Sequence, residues 1–270
     1  MIAGYSAIVA RGMGVRRGGR WLLRPAAFGI AEGVAGLAGQ QGAGKSTLLA
    51  TFATLRRPHV GALEILGEDT GNSTGLRAVR ARIGYLPGRF SWADGMKVDE
   101  FVRYAAYYKR VREPQVRAVL KRFELSEAAG AEMGLLPPDV RLRAGLAATC
   151  VHEPDLVLLD DPFAGLEAAA AAELVPVVRT LAPSVVVAAE AAGPLAGWCD
   201  RLFTLARGRL TELPDAACAD PAPMGPLHTE PAPAGRIRAA RPLVIPVPDR
   251  RRVARRLRLA LLTAGSGAGV

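Results

Sequence analysis

Nine residues, GQQGAGKST at positions 39–47, combine three glycines at turn-forming spacing with a lysine and two hydroxyls. Gly39, Gly42 and Gly44 let the backbone curl, so that its N–H groups, those of Gln40 and Ala43 included, point inward at phosphate oxygens. A helix starting at the end of the loop adds its positive dipole end. In such a loop Lys45 bridges the β- and γ-phosphates, Ser46 is placed to ligate Mg²⁺, and Thr47 completes the hydroxyl pair. The other reading is a chance glycine turn. A second chemical pair, Asp160 and Asp161, closes the apolar run PDLVLLDD. Asp160 is positioned to hold a Mg²⁺ shell from the adjacent strand end; alternatively both acids cap a helix beginning near Pro162.

These residues need elements to hold them. GVAGLAG reads as a short buried strand running into the glycine loop, and KSTLLATFATL as the apolar-faced helix leaving it. Strand, loop, helix is the context that a phosphate loop requires. PDLVLLDD and SVVVAA read as further buried strands, and LEAAAAAELVPVVRTLA between them as a helix with a kink at Pro176. This alternation predicts an α/β fold with a mostly parallel sheet covered by helices. Between residues 89 and 144 strand signals nearly vanish. KVDEFVRYAAYYKRV and PQVRAVLKRFEL read there as amphipathic helices of a separate lobe, with Phe101, Tyr104, Tyr107 and Tyr108 as its core or as an edge facing a partner. His59 and His152 read as surface or capping residues.

Composition sets the outer limits. The 270 residues suffice for one large α/β core with a small lobe and a tail. No run of eighteen residues lacks a charge, and the start MIAGYSAIVARGMGVRRGG has no lysine or arginine before an apolar core followed by a small-residue cleavage site, so neither a spanning helix nor a signal peptide is expected. Cys150, Cys199 and Cys218 lack the paired spacing of a metal knuckle or disulfide framework and fit a reduced compartment. The net charge of +10 is concentrated: residues 236–258 hold nine arginines against Asp249 alone, which leaves the body at +2. Nine prolines between Pro214 and Pro248 mark a linker. The expected organisation is a domain over 1–213 with its helical lobe at about 89–144, a linker over 214–235 and an arginine-rich tail over 236–270. For the tail the readings are a solvated arm or attraction to an anionic membrane surface. Nucleic acid ranks below both, because no aromatic interleaves the arginines.

The order of these pieces over residues 1–212 resembles the ATP-binding cassette of ABC transporters. GQQGAGKSTLLATFATLRRPHVGALEILGED resembles the family's phosphate loop and the turn after it; IGYLPG its Q-loop segment; GLAATCVHEPDLVLLDDPFAGLE the run from signature helix to D-loop. FSWADGMKVDEFVRYAAYYKRV is most similar to cassettes paired with separately encoded export permeases. The resemblance implies a P-loop NTPase fold of the ABC type, with an antiparallel β edge and a helical subdomain. It also implies ATP and Mg²⁺ as ligands, a polytopic permease and a second cassette as partners, and a cytoplasmic place on the inner face of the cell membrane.

Five departures stand beside that resemblance. Gly88 occupies the Q-loop glutamine position, Asp161 the catalytic glutamate position, and Glu190 the switch histidine position. Leu136, Pro137, Pro138, Asp139 and Val140 align with the signature, and Arg17 with the aromatic that stacks on adenine, although Arg17 or nearby Trp21 could stack in its place. Asp161 withdraws its carboxylate by over about 1 Å, a displacement that can cost about a hundredfold in rate. Two prolines remove two N–H donors, and one lost oxyanion donor costs roughly 10²–10³. The expectation is a cassette that binds MgATP and hydrolyses it slowly, with Asp161 as the weak candidate for water activation. The competing class is an ATP-gated regulatory module whose basic tail is its effector arm.

Overall fold

The structure, a computed structural model, describes residues 6–214. The expected linker, apart from Pro214, and the arginine-rich tail lie outside the described residues. The chain opens with β1 (Ser6–Arg17), β2 (Arg20–Ala31) and β3 (Gly33–Ala38), then α1 (Lys45–Phe52), β4 (Val60–Ile65), β5 (Glu68–Asp69), α2 (Ser73–Arg82) and β6 (Ile83–Leu86). It continues through α3 (Val98–Lys109), α4 (Glu113–Arg122), α5 (Pro138–Cys150), β7 (Leu156–Asp160) and α6 (Ala168–Arg179). β8 (Ser184–Ala189), α7 (Gly193–Ala196), β9 (Arg201–Ala206) and β10 (Arg209–Leu213) complete it.

Two sheets result. A 6-stranded sheet runs β10-β9-β3-β8-β7-β6, parallel except for β10, and a 4-stranded antiparallel sheet runs β2-β1-β4-β5. Successive residues of a strand face opposite sides, and the larger sheet is apolar on both. Val157, Leu159, Val185 and Val187 join the core under α3 to α6. Leu156, Leu158, Val186 and Ala188 join the core that holds Leu48, Leu49 and Phe52 of α1 and Ile8, Met13 and Ile65 of the smaller sheet. A strand buried on both faces has to be a continuous apolar run, which is why LVLL and SVVV carry no alternation.

Residues 87–155 contain no strand. Phe101 is buried in that segment, whereas Tyr107 and Tyr108 are 52% and 62% exposed, so the aromatic series is core at one end and surface at the other. It forms a continuous row of ring contacts through Trp92, Phe101, Tyr104 and Tyr108. α6 runs through Pro176 without a break in the helix.

His152 departs from its expected surface role. Its Nε2 lies 3.0 Å from the carbonyl of Ile83. A carbonyl only accepts, so Nε2 carries the proton and the buried Nδ1 is left as a lone pair with no partner among the described residues. The same carbonyl accepts from Lys109 Nζ at 2.9 Å, and Lys109 also donates to Arg80 O at 2.7 Å. Burial pushes the Lys109 ammonium down to about 8 and the His152 imidazole down to about 4. Thus side chains from the ends of α3 and α5 converge on the first residue of β6.

Candidate functional site

β3 ends at Ala38, and the chain turns at once into the glycine loop. Gly42 (φ 80°) and Gly44 (φ 109°) both adopt left-handed backbone, and a Cβ on Gly44 would lie 2.9 Å from the Cβ of Leu22 on β2. Only glycine meets both demands at position 44. The Ala43 N–H donates to Gln40 O at 3.0 Å, and the Gly39 N–H to Ala189 O at 3.2 Å, which closes the loop onto the end of β8. Gly44 caps α1 without a side-chain cap, so the first-turn N–H groups face the loop. Lys45 is 7% exposed, and its Nζ donates to the Gly39 carbonyl and, at 3.3 Å, to Gln40 O. Thr47 is buried, and its carbonyl accepts from Thr51 Oγ1 at 2.8 Å.

Asp160 meets this loop from across the sheet. The sequence reading places its strand next to β3; the structure places β8 between β3 and β7. The carboxylate still reaches over: Ser46 Oγ donates to Asp160 Oδ1 at 3.1 Å. Burial pushes the Asp160 carboxyl above its ordinary value, against the Ser46 hydroxyl, the Lys45 charge and a hydrogen bond from the Gly88 N–H, which all pull it down. A hydroxyl and a buried carboxylate at this distance form a hard-oxygen pair of the type that Mg²⁺ prefers.

Asp161 holds the next position in left-handed backbone, φ 53°, where Asp and Asn are tolerated better than other side chains. No helix begins near Pro162; residues 161–165 form a turn and α6 starts at Ala168. Capping of a helix at that point is therefore not the role of the acid pair. Burial raises the Asp161 carboxyl; Lys45 lowers it, and Asp160 and Glu190 raise it further. Lys45, Asp160, Asp161 and Glu190 thus share one electrostatic neighbourhood.

Gly88 explains part of that geometry and was not legible as anything but a substitution. A Cβ there would stand 2.8 Å from the backbone oxygen of Asp160. The backbone of residue 88 is packed directly on the strand end that presents the carboxylate, with no room for a side chain in between. Leu136 to Val140 lead into α5, with Pro137 at its N-cap and Pro138 as its first residue. The first two positions of that turn therefore carry no N–H. Arg17 lies at the β1–β2 turn opposite Arg20 and is exposed. It is Arg16 that covers the Trp21 ring, 3.9 Å from its centroid, and Leu22 that packs on the loop.

Residues 23–164 match the family model described as ABC transporter. The chain belongs to the ABC transporter family. It is 30% identical over 239 residues to the phosphonates import ATP-binding protein PhnC of Anaeromyxobacter dehalogenans, covering 82% of this chain and 48% of that one. It is 33% identical over 153 residues to a probable multidrug ABC transporter ATP-binding protein, YbhF, of Escherichia coli, covering 55% and 26%. With the daunorubicin resistance ATP-binding protein DrrA3 of Streptomyces coeruleorubidus it shares 32% over 182 residues, 65% of this chain and 57% of that one. The chain spans about half or less of the first two relatives. Among solved structures, cbiO1 from Clostridium perfringens, part of the cbiONQ ABC transporter complex, superposes with TM-score 0.66 at 21% identity over 76% of this chain and 87% of that one. A nucleotide-free ATP-binding cassette from an ABC transporter superposes with TM-score 0.68 at 16% identity, covering 77% and 91%. The fold is that of the P-loop ABC cassette, a mostly parallel sheet joined to an antiparallel one. No helix among the described residues is long and apolar enough to cross a membrane.

Proposed function

We propose that this ABC-family chain is the ATP-binding subunit of an exporter, which grips MgATP, hydrolyses it slowly, and drives or gates a separate polytopic membrane permease. In this reading it works on the inner face of the cell membrane and pairs with a second cassette, with residues 1–213 as the ATP-binding domain. The observation that carries it is the 3.1 Å bond from Ser46 to Asp160, which joins the glycine loop to the end of β7.

The residues assigned to the nucleotide are Gly39, Gln40, Gly42, Ala43, Gly44, Lys45, Ser46 and Thr47, with Arg17 at the adenine end. Ser46 and Asp160 would hold Mg²⁺, which when bound neutralises phosphate charge and orients the β- and γ-oxygens. Lys45, bonded to the loop's own carbonyls, has only to swing its Nζ to meet a phosphate. Support for slow turnover comes from Asp161: burial, and then the neighbouring Asp160 and Glu190 charges, raise its carboxyl against the pull of Lys45, and a carboxyl held toward its protonated form is a poor base. Support for export comes from the likeness of residues 90–111 to export cassettes and from relatives named for multidrug transport and daunorubicin resistance.

Steady-state Mg²⁺-ATP turnover of the purified chain, run beside an ATP-binding titration, tests this. Saturable binding with turnover no faster than that of Lys45→Ala is the expected result, and Lys45→Ala should also weaken binding. Turnover of order 1 per second, abolished by Lys45→Ala and by Asp161→Asn, would refute the slow-hydrolysis reading.

A further inference from the structure

Two neighbouring turns carry a basic surface of which the proposed nucleotide site takes up Arg17 alone. The first 31 residues contain five arginines, at 11, 16, 17, 20 and 24, and no acid. β1 and β2 set Arg17 opposite Arg20 and Arg16 opposite Trp21, at a hairpin end where Gly18 and Gly19 have open space around them. The turn between β9 and β10 lies against the same strand. The Arg24 N–H donates to Gly208 O at 2.8 Å, and a Cβ on Gly208 would stand 3.3 Å from Trp21 O and 3.4 Å from Arg24 Cγ. Arg207 and Arg209 flank that glycine. Arg16, Arg17, Arg20, Arg24, Arg207 and Arg209 are all exposed, and together they make one basic surface.

None of the six forms an ion pair among the described residues, where the paired arginines are 11, 82, 103, 141, 143, 179 and 201. Glu212, the acid closest in sequence to Arg209, is already held by Arg201 at 2.5 and 2.7 Å. Clustered like charges repel one another, and an external anion relieves that repulsion. All six are arginine rather than lysine, and the guanidinium fork matches phosphate oxygens in pairs. The chain's own 236–258 segment has the same sign and is no counterpart. Trp21, the aromatic within the patch, has its face taken by Arg16, so it offers no platform on which an unstacked base could lie. What remains is charge spread across two adjacent turns with no base-reading ring, which suits a plane of phosphates.

We propose that this surface docks on anionic phospholipid headgroups, independently of the nucleotide site and of any permease. The test uses the full chain with the nine arginines of 236–258 changed to glutamine, so that the tail does not mask the patch. Its co-sedimentation is measured with phosphatidylcholine vesicles, with and without 30% phosphatidylglycerol, at low and high salt. Binding is expected only to the anionic vesicles and should weaken with salt. Arg20, Arg24, Arg207 and Arg209→Gln together should reduce it several hundredfold. The pairs Arg20→Gln with Arg207→Gln, and Arg24→Gln with Arg209→Gln, should each reduce it roughly 30-fold while an ATP titration stays unchanged. Equal binding by both pairs and the parent overturns the proposal, as does equal binding to neutral vesicles. Tighter, patch-dependent binding to duplex DNA than to anionic vesicles at the same salt also overturns it, in favour of a nucleic-acid surface.

Discussion

Replacing Gly88 with alanine adds one methyl group beside Asp160, 2.8 Å from its backbone oxygen and 3.9 Å from its carboxyl carbon. Ordinary contact begins near 3.4 Å, so one side has to move by about 0.6 Å. Asp160 is poorly placed to yield: it ends β7, which is paired to β6 on one side and β8 on the other. Overpacking of this kind costs about 1–3 kcal/mol. For a domain of this size each kcal/mol lowers Tm by about 2–4 °C, so a fall of about 2–12 °C is expected. The shift also misaligns the Gly88 N–H on the Asp160 carboxyl. A hydrogen bond to a charged group is worth about 1.5–3 kcal/mol, which translates to a roughly ten- to hundredfold weaker Mg²⁺-dependent ATP affinity if the bond is lost. Thermal melting and a fluorescent-ATP titration with and without Mg²⁺ measure both effects. Gly88→Gln, which restores the family residue, should be at least as damaging and should not raise turnover. An unchanged Tm with unchanged affinity in Gly88→Ala would refute the reasoning.

Asp161→Glu, the other change toward the family residue, puts a longer side chain at φ 53°; it should lower stability by about 1 kcal/mol in urea denaturation, whereas Asp161→Asn, tolerant of that backbone, should not. His152 gives a pH signature. Its pKa falls from 6.5 unfolded to about 4 folded, so its contribution is fully present above pH 6.5 and is lost as the pH drops through 4. The loss is at most about 3 kcal/mol and smaller to the extent that water reaches the ring. His152→Gln should flatten the stability curve over that interval relative to the parent chain, and parallel curves would remove His152 as the cause.

The parts of the fold that could be read were those whose physics is local. LVLL and SVVV announce buried strands because both faces are covered, and the apolar spacing of VDEFVRYAAYYK and EPQVRAVLKR announces α3 and α4. β1 and β2 hid behind their register shifts, which break the alternation, and behind a density of arginine that strands seldom carry. Strand order was beyond reach: nothing local in SVVVAA says that it inserts between β3 and β7. In the candidate site, the glycine loop and the acid that Ser46 meets could be picked out from type and spacing, because the phosphate and Mg²⁺ chemistry proposed for them would restrict both. Gly88 was readable only as a missing side chain. Its reason is a contact with residue 160, and such a contact leaves no mark on the residues next to it. His152, a polar residue in a short connection, carried no sign of burial.

The Ile83 carbonyl, held from one side by Lys109 and from another by His152, lies at the near end of a short extended run whose far end is Gly88, bonded to Asp160. The four residues of β6 rise about 13 Å, and two further residues carry the chain to Gly88. A tether of that length pinned at both ends has no slack: a displacement of the helices at one end has to appear at the carboxylate or be absorbed by stretching hydrogen bonds. The main chain from Ile83 to Gly88 therefore ties the ends of α3 and α5 to the strand end that presents Asp160, with no side chain of residue 88 in the link.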